Sequence, residues 1–302
     1  MYEEVDFDRR RYLGIALINP DAKGAALITG ASSGIGAIYV DRLANRGYDL
    51  ILVARNRERL DALAARLVDD TGRSVKAIVA DLNDNSDLAR IEQLLRIDER
   101  ITMLVNNAGI GVPLPFLDSD IERVERMINL NVIALTRLTR AVASALVNRG
   151  GGTIINIASV AAIAPEVLNG VYGATKAFVL AFSLALDKEF ASQKIRVQVV
   201  LLGATATDFW DAAGTPLEGI PSRMVMKAGD MVDAAIAGLD RGELVTIPSL
   251  PDFSDWDAYE AARQNMIPKL SLSSPASRYG VPPARPHGRH PPEAALSSTG
   301  ER

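Results

Sequence analysis

The feature that most limits what this chain can fold into is an alternation of two hydrophobic periods. Apolar, largely β-branched runs recur at residues 25–29, 50–53, 75–80, 101–105, 153–157, 195–202 and 244–247. Between them apolar residues fall at three- and four-residue spacing, as in Leu60, Leu63, Ala64 and Leu67 or Leu135, Leu138, Val142 and Leu146, with charges on the other face. Runs with no wet face are strands buried on both sides, and strands separated by helices pair in parallel. The expected fold class is therefore α/β, a doubly wound parallel sheet of about seven strands flanked by helices.

One domain is expected over residues 24–279, with no repeat at solenoid spacing. Residues 1–23 are an N-terminal extension of no assigned structure. Residues 280–302, with Pro282, Pro283, Pro286, Pro291 and Pro292, read as a proline-rich disordered tail. The one apolar run in the extension, 13–18, is too short for a signal core or a membrane span, so a cytoplasmic location is expected.

Composition removes whole classes of chemistry. The chain has no cysteine and two histidines, His287 and His290, both in the tail. That excludes a disulfide frame, a thiolate nucleophile and a Cys/His zinc site, and no metal is expected. Proton chemistry falls to tyrosine, lysine, serine or carboxylates. With 33 Lys+Arg against 37 Asp+Glu, and no cationic cluster in the periodic region, neither nucleic acid nor a membrane is expected as a partner.

The first strand runs into Thr29-Gly30-Ala31-Ser32-Ser33-Gly34-Ile35-Gly36 and then into a helical pattern. Glycines there let the main chain approach a pyrophosphate, and a helix N-terminus offers it unpaired N–H groups. Gly30, Ser32, Ser33, Gly34, Ile35 and Gly36 are thus candidate nucleotide contacts; the spacing is not G-x-G-x-x-G and a lone glycine triplet is often only a turn with a cap, but its place directly after the first strand favours nucleotide binding. The second run ends at Ala54-Arg55-Asn56-Arg57, where a ribose 2′ position would be read. No carboxylate at Ala54 or Arg55 opposes a 2′-phosphate, and two arginines open the next helix, where the dipole disfavours cations. NADP(H) is expected over NAD(H), with Arg55 as its reader; otherwise Arg55 and Arg57 are solvated surface. Asp81-Leu82 and Asn106-Asn107-Ala108-Gly109 end the third and fourth runs, at the sheet edge that holds ligands. Asp81 either accepts from adenine or caps a helix, and the asparagines either meet the nucleotide or shape a turn.

Tyr172 and Lys176 lie one helical turn apart, so both project from one face. An ammonium beside a phenol favours the phenolate and lowers its usual pKa of ~10, giving a usable acid or base. Taken alone, such a pair is more often surface decoration. Ser159 follows the fifth run at the same sheet edge, as a donor to a carbonyl oxygen or as a turn hydroxyl. Asn131 lies in an apolar helical stretch, where a buried amide needs partners or marks a kink.

In this order, the loop at 29–36, Asn106-Asn107-Ala108-Gly109, Asn131, Ser159 and Tyr172-x-x-x-Lys176 resemble the motifs of the short-chain dehydrogenases/reductases, over about residues 24–279. The resemblance implies a Rossmann-like oxidoreductase in which Tyr172 passes the proton and Ser159 orients the substrate oxygen. It also implies that Lys176 holds the nicotinamide ribose, Asn131 positions a relay water, Thr207 contacts the nicotinamide amide, and Thr205 is a further cofactor-binding residue. Homodimers or homotetramers through helices at 118–149 and 170–192 are implied too. The chain has Leu202-Gly203 where the family has Pro-Gly, and its two terminal segments have no family counterpart.

The expected reaction interconverts a carbonyl and a secondary alcohol, running as reduction with NADPH. The loop 207–226 is expected to line the substrate pocket as a lid. Phe209 and Trp210 suit an apolar ketone, unless they are core, while Arg223 and Lys227 suit an acidic substrate; both stay open. The alternative from another class is a non-catalytic NADP(H)-binding sensor or scaffold, against which the Tyr172–Lys176 pair argues.

Overall fold

The computed structural model describes residues 23–111, 114–167, 170–210 and 217–281. Nearly all of the expected extension and tail therefore lies outside the described residues. The strands are β1 (Ala25–Thr29), β2 (Asp49–Ala54), β3 (Val75–Val79), β4 (Ile101–Asn106), β5 (Gly152–Ile157), β6 (Ile195–Val200), β7 (Thr205–Ala206), β8 (Met226–Lys227) and β9 (Val245–Thr246). Seven of them form one parallel sheet in the order β3-β2-β1-β4-β5-β6-β9, and β7 and β8 pair separately. The winding direction reverses between β1 and β4, which opens a crevice at the carboxyl ends of those strands.

The helices are α1 (Gly34–Asn45), α2 (Arg57–Thr71), α3 (Asn85–Ile97), α4 (Ile121–Ile128), α5 (Leu135–Arg149), α6 (Gly170–Glu189), α7 (Ala228–Arg241) and α8 (Ser254–Met266). The period-2 geometry of the strands divides the core into two layers. On one side Ala26, Ile28, Leu50 and Leu52 meet Tyr39 and Leu43 of α1, Leu60 and Leu67 of α2, and Val232 and Ile236 of α7. On the other, Leu27, Ile51, Val53 and Leu104 meet Leu88, Ile91 and Leu95 of α3 and Leu138, Val142 and Leu146 of α5. Each buried leucine or isoleucine contributes ~1.5–3 kcal/mol, and both layers grip the strands whose ends carry the site. Asn56, Asp84 and Asp120 cap α2, α3 and α4 by accepting first-turn N–H groups.

Three differences from expectation concern length and continuity. The sixth and last strands stop at Val200 and Thr246. The expected helix over 118–149 is α4, a π-helical turn at Asn129–Ala134, then α5. Such an inserted residue is common beside functional sites, and here the turn contains Asn131, whose amide is drawn onto a neighbouring segment. Ile121–Arg149 and α6 are long and apolar enough to cross a membrane by length and composition, with 56% and 44% of their apolar windows buried inside the protein.

The chain divides into two compact units at Ser249 and Leu250. The first holds the sheet. The second carries α8, where Trp256 stacks on Tyr259 with ring centroids 5.3 Å apart; the expected domain end at 279 falls inside it.

Candidate active site

β1 ends at buried Thr29, whose hydroxyl donates to the Val105 carbonyl (3.3 Å) and accepts the N–H groups of Asn107 and Ala108 (3.0 Å each). Asn107 answers with Nδ2, which donates to the carbonyls of Thr29 (2.9 Å) and Gly30 (3.2 Å). The two strand ends that flank the crevice are thereby stapled. Gly30 sits at φ +65°, and a Cβ there would lie 2.8 Å from Asn107 Nδ2. A Cβ at Gly36 would fall on the Gly30 carbonyl oxygen. Side chains are excluded, so the loop is pared to backbone. Ser33, the N-cap of α1, makes no side-chain cap, and the first turn holds no acidic residue. Its N–H groups and dipole suit an anion, so this cradle fits a dinucleotide pyrophosphate. Thr207 closes on it: a Cβ at Gly34 would lie 3.3 Å from Thr207 Cβ and Cγ2.

The remaining nucleotide candidates divide. Arg55, Asn56 and Arg57 are exposed at the end of β2. Arg59, one turn on, pairs with Asp208 at 3.1 Å. Asp81 accepts the Asn83 N–H (3.0 Å) and lies 3.9 Å from Arg126; the helix cap expected of it is made by Asp84. Leu82 belongs to the core, so only its main chain can serve a ligand. Thr205 is buried in β7, with its hydroxyl donating to the Gly203 carbonyl (3.1 Å); it braces the loop.

Ser159, Tyr172 and Lys176 come together, all buried. The hydroxyls of Tyr172 and Ser159 are hydrogen bonded to each other, and Ser159 Oγ accepts the Ala161 N–H at 3.2 Å. Lys176 Nζ donates to the Ile157 carbonyl at 3.0 Å and stands 5.7 Å from the centroid of the Tyr172 ring. The expected electrostatics are corrected here. Burial pushes the Tyr172 phenol up to about 12, and the Ser159 hydrogen bond offsets that only in part. Burial also pushes Lys176 down to about 8. The lysine therefore does not draw the phenol down in the free protein; both charged forms are penalised by the dry site.

Asn131 is 2% exposed. Its Oδ1 accepts the Ile110 N–H (3.0 Å), and its Nδ2 donates to the Ile110 carbonyl (3.0 Å) and Thr175 Oγ1 (3.2 Å). Thr175 in turn donates to the Tyr172 carbonyl at 2.8 Å. The side chain clamps the segment after Gly109 to the helix that carries Tyr172 and Lys176. Asn131→Ala removes both hydrogen bonds to the half-buried Ile110 backbone, at ~1 kcal/mol each. Calorimetry should show Tm lowered by about 5 °C, and an unchanged Tm would remove the clamp.

Sequence reasoning missed the hubs Thr29 and Thr175 and a buried chain beneath the site. Asn106 donates to Thr139 and Asn156 (2.9 Å each), and Asn156 donates to Ser183 (2.9 Å), tying β4 and β5 to α5 and α6. The signal was the one used for Asn131, an amide inside an apolar run. Around Tyr172 lie Val124, Met127 and Ala161, with Ile110, Val171 and Phe209 packed against them. Arg223 and Lys227 are exposed and outside this cluster. Residues 211–216 of the expected lid lie outside the described residues.

Comparison with known proteins places the chain among relatives. The sequence model described as "short chain dehydrogenase" matches residues 24–217. A short-chain dehydrogenase from Sphingobium yanoikuyae, solved in complex with NADPH, is 50% identical, covers 85% of this chain and 99% of its own, and superposes with a TM-score of 0.83. The bulky-bulky ketone specific alcohol dehydrogenase from Comamonas testosteroni is 43% identical, covering 85% and 98%, with a TM-score of 0.78. Among curated relatives, the very-long-chain 3-oxoacyl-CoA reductase of Anas platyrhynchos is 38% identical over 199 residues, and the match spans 64% of each chain.

Proposed function

The chain belongs to the short-chain dehydrogenase family of oxidoreductases, and from that premise we propose that it is an NADP(H)-dependent carbonyl reductase acting on apolar ketones. The observation that carries this is the buried Ser159–Tyr172–Lys176 group, with a protonated phenol facing apolar side chains beside a cradle suited to pyrophosphate. Gly30, Gly34 and Gly36, with the N-terminus of α1, would hold the phosphates, Lys176 the ribose and Arg55 the 2′-phosphate. A bound reduced nicotinamide supplies the hydride.

The chain's own groups do the rest. Tyr172 and Ser159, bonded to each other in the free protein, turn their hydroxyls to the substrate oxygen, and Tyr172 gives up its proton as negative charge grows there. The ammonium of Lys176 stabilises the phenolate left behind, in a site too dry for water to do so. Asn131, through Thr175, keeps the helix carrying both groups in register. The apolar cluster and the exposed position of Arg223 and Lys227 favour a neutral ketone over an acidic substrate. The relative named for bulky ketones points the same way.

Preference for NADPH rests on Arg55 and Arg57 opposite no carboxylate before Glu58. The double variant Arg55→Ala/Arg57→Ala should raise KM for NADPH roughly 10–100-fold, the worth of one charge-assisted hydrogen bond, with little change for NADH. Equal changes for both coenzymes would assign the arginines elsewhere. A homo-oligomer belongs to the same proposal, supported by exposed Ile121, Ile128 and Ile133 along the 121–149 helical stretch and Phe178 on α6; light scattering reads it directly. The activity is tested by the decay of NADPH absorbance with a panel of ketones. Turnover supports the proposal, and tight NADPH binding with silence across the panel would favour a sensor.

A further inference from the structure

We propose that Phe209 is the specificity-determining side chain of this site, packing against the carbonyl substituent nearest Tyr172, favouring flat apolar groups and limiting their size. The proposal rests on the ketone reductase reading above. Phe209 is held on three sides. Its ring stands 6.1 Å from that of Tyr172 at 50°. Trp210 meets it edge-on at 5.7 Å and 90°. That indole is itself fixed, being buried with its Nε1 donating to the Thr205 carbonyl at 2.8 Å.

The third constraint is a glycine. A Cβ at Gly111 would lie 2.8 Å from Phe209 Cζ and 3.5 and 3.6 Å from Cε1 and Cε2. The tip of the ring occupies space that any other residue at 111 would fill. Two residues before Phe209, Thr207 touches the glycine cradle at Gly34. One short stretch, 207–209, therefore runs from the nucleotide cradle to the proton donor, and a substituent extending from a carbonyl held there meets the Phe209 ring. The hydrophobic and aromatic neighbours described for that ring offer an apolar substituent a dry contact surface.

Gly111 supplies a second handle, because its backbone is outside the left-handed region and accepts alanine. Gly111→Ala should push the ring aside without deleting it. The experiment measures kcat/KM with NADPH for acetophenone and for benzophenone in wild type, Phe209→Ala, Phe209→Leu and Gly111→Ala, with NADPH affinity as the check on folding. The benzophenone-to-acetophenone ratio should rise at least about tenfold in Phe209→Ala, as expected for opening a hydrophobic pocket, and move the same way in Gly111→Ala. If Phe209→Ala no longer binds NADPH, the ratio in the other two variants decides by the same criterion. Ratios within about twofold of wild type in every NADPH-binding variant, while Tyr172→Phe silences turnover, would overturn the role of Phe209 and leave the reductase standing. Failure of the wild type to reduce either ketone or any other in the panel would overturn both.

Discussion

Tyr172→Phe is expected to lower ketone reduction by roughly 10²–10⁴-fold while NADPH still binds. The substitution removes a single oxygen. The ring keeps its packing against Val124, Met127, Ala161 and Phe209, Ser159 keeps the Ala161 N–H at 3.2 Å, and the cradle around Gly30 and Gly36 is untouched. What disappears is the proton delivered to the substrate oxygen. No histidine or cysteine occurs among residues 1–286, so no nearby side chain of those types replaces it. Single-turnover absorbance and NADPH fluorescence separate the two effects: a lost rate with retained binding is expected, and a wild-type rate would remove Tyr172 from the chemistry.

Lys176 gives the second large effect, and it carries a pH signature. Lys176→Met should lower kcat/KM for NADPH by roughly 10²-fold, as the charge-assisted bonds of the ammonium are lost. The working form is the protonated one, and burial holds its pKa down to about 8 in the free protein. The profile of kcat/KM, which reports the free enzyme, should therefore be flat below about pH 8 and fall as pH rises through it. Tyr172, pushed up to about 12, stays protonated throughout and adds no limb of its own there. Lys176→Arg retains a charge that does not titrate in this range, so the alkaline limb should move beyond pH 10. A limb that stays near 8 in Lys176→Arg would belong to another group.

Much of this was legible in residue order because the signals are local. Strands buried on both faces write uninterrupted apolar runs, and β1 followed by glycines and a helix names the nucleotide edge. A turn of helix between Tyr172 and Lys176 guarantees a shared face. What was not legible depends on partners distant in the chain. The Asn131 clamp closes on Ile110 and Thr175, 21 and 44 residues away, and the π-helical turn shifts the apolar spacing by too little to stand out. β9, two residues long, is defined by its pairing with Val199 and Val200. The direction of the Tyr172 shift was misjudged because spacing fixes how near an ammonium lies, whereas burial, decided by Phe209 and the rest of the cluster, fixes what either charge costs. Asn106 was read only as a nucleotide contact or a turn former and Asn156 was not singled out, because their joint chain through Ser183 exists only once the fold brings β4, β5 and α6 together.

The claim on which the rest depends is that Tyr172 is a neutral acid kept protonated by its dry surroundings until substrate arrives. Its direct measurement is an ultraviolet tyrosinate titration of the wild type minus that of Tyr172→Phe, which isolates one of 7 tyrosines. The expected difference spectrum is silent through neutral pH and rises only above the ordinary phenol range of ~10, toward about 12. A step at pH 7–8 in the free protein would show that the lysine already holds Tyr172 as a phenolate, and would contradict the claim.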